Sequence, residues 1–409
     1  MAVIREIEDR EYERLAEIAA QTYPRIPAEA RSAEALRKRG SQQGVHFFGC
    51  FRNGRMLAMM RLHDFSVYLR GGYLPMGGVG FVGVDLLHKK QHICRDMLQF
   101  FLQHNQDKKV PLVGLYAFRP DFYHKMGFGF GPKRHCYRFK PAAIPRRGDK
   151  SHLRFMTGRD REGLDRCYRQ WLERHNGHIV RTGDDWDYLL NPKNGFLVGY
   201  EHDSRLQGYL VGAFRPGHPA HFMHQHLEVS ELVYNTPAAL NGLLTFLHDQ
   251  ADQVDRVLLL SYDGSLHHLC ADPRNGNMEF LYLTHQTNVS GVGIMYRVID
   301  VPGMFRNLRH YRFPGPDLRL AVTVSDSFLP DNQGTYTLAF EQGKATQVSG
   351  ACDARITLGI QHLSSLIVGA VSFKRLYWLG LAGISDVRLL DQVDRLFLPQ
   401  EPGGCLTLF

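Results

Sequence analysis

The sequence predicts an α+β protein in three parts: two tandem copies of one mixed α/β fold, then a separate module of strands and helices. Three observations carry that prediction. Strand-like and helix-like patterns alternate through residues 1–140. Two distinct features recur at an offset of about 150 residues. From residue 291 the pattern changes to short alternating strands followed by an apolar, helix-rich stretch. The parts are placed at 1–145, 146–290 and 291–409, and 409 residues suffice for two or three domains.

Residues 3–8 read as a short strand, and Asp9 is suited to cap the helix that follows, with Leu15, Ile18 and Ala19 on one apolar face. A second helix over Ala33–Arg39 is expected to stop at Gly40 in a left-handed cap. Asn53-Gly54 between two apolar runs is a strong hairpin signal. A Gly-rich strand ends at Val84, a helix begins near His92 with Ile93, Met97, Phe100 and Phe101 inward, and a buried strand ends near Phe118. The stretch around Asn53 matches the stretch around Asp203, and the strand-to-helix passage from Val84 to Leu98 matches that from Val233 to Leu247. In the last part, strands at 318–326, 334–342 and 344–350 precede a helical stretch whose apolar runs end at Gly369 and Gly380.

Composition excludes several classes. Apolar residues make up 44% and charged residues 22%, as in globular proteins, so disordered and fibrous chains are excluded. No apolar run approaches a membrane span of about 18 residues. The first residues are charged from Arg5 onward, so no secretory signal is expected and a cytoplasmic location is. Seven scattered cysteines without a C-x-x-C pair argue against a disulfide framework or a zinc ribbon. The charge is +8, but no run of five basic residues occurs and no nucleic-acid partner is expected. His218, His221, His224 and His226 lack a ligand-like spacing, as do His267, His268 and Cys270, so no metal is expected.

The chemistry-bearing segment runs from Gly77 to Leu98. After the strand, a turn carries His88, Lys89, Lys90 and Gln91 ahead of a helix start, where free N–H groups beside cationic side chains suit a pyrophosphate or simply form a solvated basic turn between two core elements. Gly78-x-Gly80-x-x-Gly83 lies inside the strand rather than at the turn, so it marks a bulge or the close approach of a ligand lying along the strand, not a dinucleotide fold. Cys94, near the helix start and two lysines, meets conditions that lower a thiol pKa. Farther on, Pro120 and Asp121 start a short helix presenting Tyr123, with Gly127 and Gly129 as its terminators. Tyr123 is suited to give a proton to a leaving group or to serve as a packed aromatic.

The Val84–Arg95 turn followed by Tyr123-x-x-x-Gly127-Phe128 resembles the acetyl-CoA motifs of the GNAT acetyltransferase superfamily. The whole chain is similar to its enhanced intracellular survival (Eis) branch, in which two tandem GNAT folds precede a sterol-carrier-protein-like domain. The repeat, the apolar pattern around Leu363–Gly369 and Leu376–Leu381, and the aromatic Phe409 at the end carry that likeness.

The resemblance implies an N-acetyltransferase using acetyl-CoA as cosubstrate, acting on a primary amine by direct attack in a ternary complex. The amine would be an aminoglycoside, a polyamine or a lysine side chain. Pantetheine would pair with Val82, Gly83 and Val84, and the pyrophosphate would sit on Lys90, Gln91, His92, Ile93, Cys94 and Arg95. Phe118 and Arg119 would line the other side, Tyr123 would protonate the leaving thiolate, and the Phe409 carboxylate would accept the amine's proton. A hexamer is implied as well. The turn departs from the family's R/Q-x-x-G-x-G/A pattern, with His92 and Cys94 in the glycine places. The second copy, Tyr234–Leu240, has no Lys, Arg or Gly in the equivalent turn and is expected not to bind a pyrophosphate. The alternative reading is a non-catalytic ligand- or partner-binding protein with a degenerate acetyl-CoA site. A weaker one is an aminoacyl-tRNA-dependent transferase.

Overall fold

The computed structural model describes residues 2–190, 195–221, 223–277, 283–398 and 403–409. The chain divides into two compact units, one of Met1–Gly131, Ile294–Gln400 and Thr407–Phe409, the other of Pro132–Gly293 and Glu401–Leu406.

The main sheet of the first unit is ordered β1 (Val3–Glu6), β2 (Val45–Arg52), β3 (Arg55–Leu69), β4 (Gly72–Val84), β5 (Leu112–Tyr116), then the strand Ile294–Val298, then β6 (Gly129–Phe130). Neighbours are antiparallel except β4 and β5. Alternation along β2 and β3 gives each face its own core. On one face Leu15, Ile18 and Ala19 of α1 (Tyr12–Thr22) and Leu36 of α2 (Ala33–Gly40) pack on Phe47, Phe51, Met56 and Met59. On the other, Met97, Leu98, Phe101 and Leu102 of α3 (Ile93–Asp107) pack on Phe48, Met60, Leu62 and Val113.

The Asn53-Gly54 hairpin forms with both residues left-handed, φ 51° and 73°, as a two-residue primed turn requires. Several local expectations are corrected. Asp9 does not cap α1: it lies in a short 3-10 turn whose capping box is made by Glu8 and Glu11. Gly40 is the last residue of α2 rather than a left-handed cap, and the need for glycine there is space, since a Cβ would collide with the Tyr12 hydroxyl. Phe100 is only partly buried at the edge of the cluster, and Gly129 lies in β6 instead of ending the helix before it.

The same unit holds a second, five-stranded sheet, ordered Lys344–Gln347, Gly334–Glu341, Leu318–Ser325, Ala354–Gly359 and Ala382–Ile384. Its helices Ile360–Ile367 and Phe373–Trp378 are followed by Gly369 and Gly380 with φ 75° and 71°, left-handed as expected. Two buried arginines tie this module to the first sheet. Arg70, at the β3–β4 turn, donates Nε to the Ile367 carbonyl (2.8 Å) and Nη2 to those of Leu366 (3.1 Å) and Phe397 (2.6 Å). Carbonyls at helix ends are left without intrahelical donors, so a guanidinium satisfies them. Arg297 pairs with Asp326 through two 2.8 Å bonds, both side chains fully buried.

The second unit carries a seven-stranded sheet ordered Asn288–Val292, Lys133–Phe139, Val254–Ser261, Gln225–Tyr234, Arg205–Pro216, Gly195–His202 and Leu153–Phe155. Asp203 and Ser204 form its hairpin at φ 50° and 57°, the counterpart of Asn53-Gly54. The helix Pro237–His248 buries Ala239, Leu243, Leu244 and Leu247 against Leu210, Leu227, Val229 and Val257. No helix among the described residues is long and apolar enough to cross a membrane.

Candidate active site

The site is a parting of strands. β4 and β5 pair in parallel from Met76↔Leu112 to Gly78↔Gly114, yet β4 runs on to Val84 and β5 to Tyr116. Backbone groups of β4 beyond Gly78 are thus freed on the β5 side. On the β3 side the ladder slips where Ala58↔Val84 and Met59↔Gly83 give way to Arg61↔Gly80. Phe81 takes φ 52°, so the bulge predicted from the glycines falls on a phenylalanine.

At the far end of β4, Asp85 anchors the turn. Its carboxylate accepts from Leu87 N–H at 2.9 Å and pairs with Arg14. Burial opposes its ionisation, but that N–H and the guanidinium hold its pKa below the ordinary value. Lys90 and His92 are left-handed, φ 65° and 61°. His92 ends the turn as the helix N-cap without a side-chain cap bond, and the first N–H returning into α3 is that of Asp96, to the His92 carbonyl at 3.1 Å. The N–H groups of Ile93, Cys94 and Arg95 therefore precede the helical ladder, as a pyrophosphate cradle needs. Lys89, Lys90, Gln91, His92 and Arg95 are exposed around it. Cys94 is partly buried against the core cluster that holds Tyr123, and burial pushes its thiol up to about 11, correcting the expectation of a lowered value. The donors of the turn fit an anionic cofactor.

Two groups of side chains meet the parted strands. Tyr123, on the short helix α4 (Pro120–His124), is buried among Met126, Phe128 and the α3 residues. Burial, then the nearby Cys94 and Tyr23, push its hydroxyl well above the ordinary phenol range. Tyr23 donates to the Val82 carbonyl at 2.9 Å and stacks on Phe81, and burial raises it to about 12. On the face shared with α1, Phe409 lies over Gly78 and Gly80. Its ring meets those of His63, Phe65 and Tyr116 at 5.5, 4.8 and 5.3 Å, and Tyr116 donates to the Thr407 carbonyl at 3.0 Å. A Cβ on Gly80 would stand 2.9 Å from the main-chain carbon of Phe409. At Gly80 the close approach expected of a ligand is made by Phe409.

Arg61 and His63 belong to this site and were missed from the sequence. Arg61 Nε donates to His63 Nε2 at 2.9 Å. Burial and that guanidinium hold His63 well below the ordinary imidazole value, so it is neutral. The available signal was Arg61, His63 and Phe65 at alternate positions, hence on one face, of the strand. Phe118 and Arg119 follow β5, both exposed, and Arg119 pairs with Asp121 at 2.7 Å.

The second copy repeats the parting without the cradle. Gln225–Tyr234 pairs with Val254–Ser261 only as far as Val229↔Leu259. A cavity of about 220 Å³ opens there, lined by Trp171, His175, His178, Tyr234 and Tyr262. At the following helix Thr236 accepts from Ala239 N–H at 3.2 Å and Pro237 carries no N–H, so of the first three helical residues only Ala238 keeps an uncommitted donor. His224 and His226 approach Asp255 at 3.9 and 3.6 Å, and among the described residues no group of three or more potential ligands is arranged to hold a metal.

Residues 3–131 and 177–298 match two different models of an acetyltransferase (GNAT) domain, and residues 304–405 match a sterol carrier protein domain. The N-acetyltransferase Eis of Mycobacterium tuberculosis is 23% identical over 343 residues, covering 80% of this chain and 79% of that one. A GCN5-related N-acetyltransferase from Anabaena variabilis shares the fold with a TM-score of 0.85 at 18% identity, over the whole of both chains. Eis1 from Mycobacterium abscessus shares it with a TM-score of 0.78 at 20% identity, again over both whole chains. With two GNAT domains ahead of a sterol carrier protein domain, the chain belongs to the Eis-like family of GNAT N-acetyltransferases, whose acetyl donor is acetyl-CoA.

Proposed function

We propose that the first GNAT domain acetylates a primary amine of a small molecule by direct attack within a ternary complex. The observation that carries this reading is the parting of β4 from β5, with Tyr123 buried beside it on one face and Phe409 laid over it on the other. Acetyl-CoA supplies the activated acetyl group. The backbone of Val82, Gly83 and Val84, where β5 has parted from β4, receives its pantetheine arm, the Val82 carbonyl already accepting from Tyr23; Lys90 to Arg95 hold its pyrophosphate, and Phe118 and Arg119 flank it.

An ammonium with a pKa near 10 has no lone pair for attack, so its proton must leave first. The Phe409 carboxylate accepts that proton through water and orients the amine. His63 is unsuited to the role, because its Nε2 lone pair is held by Arg61 and its charged form is disfavoured by burial. The amine nitrogen bonds to the acetyl carbon, the carbon–sulfur bond breaks, and Tyr123, kept protonated by its surroundings, passes its proton to the departing sulfur. The reading includes a cytoplasmic hexamer, which light scattering on the purified protein checks.

Calorimetric titration with acetyl-CoA tests the cofactor half. Micromolar binding is expected, weakened by Lys90→Gln or Arg95→Gln. Tyr123→Phe should keep that binding and lower kcat by about a hundredfold or more, the usual worth of a positioned acid. A folded protein that does not bind acetyl-CoA overturns the reading and favours a binding module.

A further inference from the structure

The acceptor side of the site has a charge that no bound cofactor accounts for. Arg61 stands in register with Gly80, and a Cβ there would lie 3.7 Å from Arg61 Nη2 and 2.9 Å from the Phe409 main-chain carbon and oxygen. The guanidinium and the chain end thus share one small space. Arg61 spends its Nε on His63, and among the described residues its Nη groups have no ion-pair or hydrogen-bond partner. Burial lowers it, as does Arg39 of α2, but only to about 10, so it is charged at neutral pH. Each charge that acts on His63 is also positive: Arg61, Arg39 and, when protonated, His46. The Phe409 terminus shares this space and the Phe81 ring lies 5.7 Å from the guanidinium, but among the described residues no carboxylate pairs with the Arg61 Nη groups, which are left open to a ligand's anion.

The cofactor's phosphates do not supply it. They belong at the turn beyond Val84, and the four residue steps from Gly80 to Val84 span up to about 13 Å of strand. Polyamines and aminoglycosides bring only positive charge and would be repelled. We infer that the acceptor is a short zwitterionic amine whose carboxylate or phosphate is received by Arg61, with Arg39 behind it, while its ammonium faces the Phe409 carboxylate. This rests on the acetyltransferase reading above and narrows its substrate class. It requires no chemistry beyond that transfer.

The test uses the full chain with acetyl-CoA and measures kcat/KM for β-alanine and phosphoethanolamine against propylamine and 1,3-diaminopropane. The acidic amines should be preferred by about a hundredfold, the worth of a charge-assisted hydrogen-bonded pair. Arg61→Gln should collapse that ratio toward one. Arg39→Gln, at an exposed helical position, should lower it less, and keeps the test alive if the strand variant fails to fold. Equal or better use of the diamine by the unaltered protein overturns the inference, as does an Arg39→Gln ratio that does not move. Loss of acetyl-CoA binding in a parallel titration marks failure of the acetyltransferase reading instead, and this inference falls with it.

Discussion

At Gly80 a single methyl group should separate cofactor binding from turnover. Its φ lies outside the left-handed region, so alanine suits the backbone, but the added carbon would stand 2.9 Å from the main chain of Phe409, closer than real Cβ contacts come. Gly80→Ala is therefore expected to fold, to bind acetyl-CoA within a few-fold of the original, and to lose at least about tenfold in kcat as Phe409 is displaced. An unchanged kcat would remove Phe409 from the mechanism. Gly127, by contrast, needs glycine twice over: φ is 82°, and a Cβ would collide with Arg297 Nη1. Both glycines were visible in the sequence as features of a site. What they make room for was not, because each partner lies far along the chain, and no spacing rule reaches that distance.

The start of α3 shows which local rule wins when two conflict. A helix N-terminus and two lysines lower a thiol pKa, typically by the worth of 0.3–1 kcal/mol for an exposed group, roughly under one pKa unit. Burial raises it by several units at most, and here it prevails, to about 11. Cys94 stands at i, i+3, i+4 and i+7 with Met97, Leu98 and Phe101, so the apolar period of the helix already assigned it to the core. The position of the turn is thus legible in the sequence, and so is the character of its cysteine, because apolar periodicity outranks proximity to charge. The sign of the pH effect follows. The folded state holds the thiol proton more tightly than the unfolded state, so this contribution to stability is complete below pH 9.0 and is lost as pH rises toward about 11. Alkylation of Cys94, followed by mass spectrometry of its peptide, should be slow at pH 8 and accelerate only as pH approaches that value. Ready modification at pH 8 would show that the thiol is not packed on the helix core.

Across the whole molecule, the repeat and the change of texture near residue 291 disclosed the number and kinds of folds, but not how the strands are shared among sheets. Ile294–Val298 is a buried strand between β5 and β6, and Lys133–Phe139 pairs with Val254–Ser261 and Asn288–Val292. Apolar alternation identifies a strand without naming its neighbours. Arg297 shows what that sharing accomplishes. From its strand it pairs with Asp326 beyond the Leu318–Ser325 strand, and it donates to the Met126 carbonyl just after the helix that carries Tyr123. Asp326 also accepts from Leu329 N–H at 3.0 Å and Asn332 Nδ2 at 3.2 Å. Removing the cation leaves that carboxylate buried with only neutral donors, a change that costs about 3–5 kcal/mol. Arg297→Met should therefore lower the urea midpoint of the transition reported by the first unit by that equivalent. In whatever fraction stays folded, kcat should fall while KM for the amine holds, because the lost Met126 contact loosens the seat of Tyr123 and not the acceptor space beside Arg61. A destabilisation below about 1 kcal/mol, the range of an exposed pair, would mean that water reaches Asp326 and that the pair is not the tie between sheet and module that its complete burial indicates.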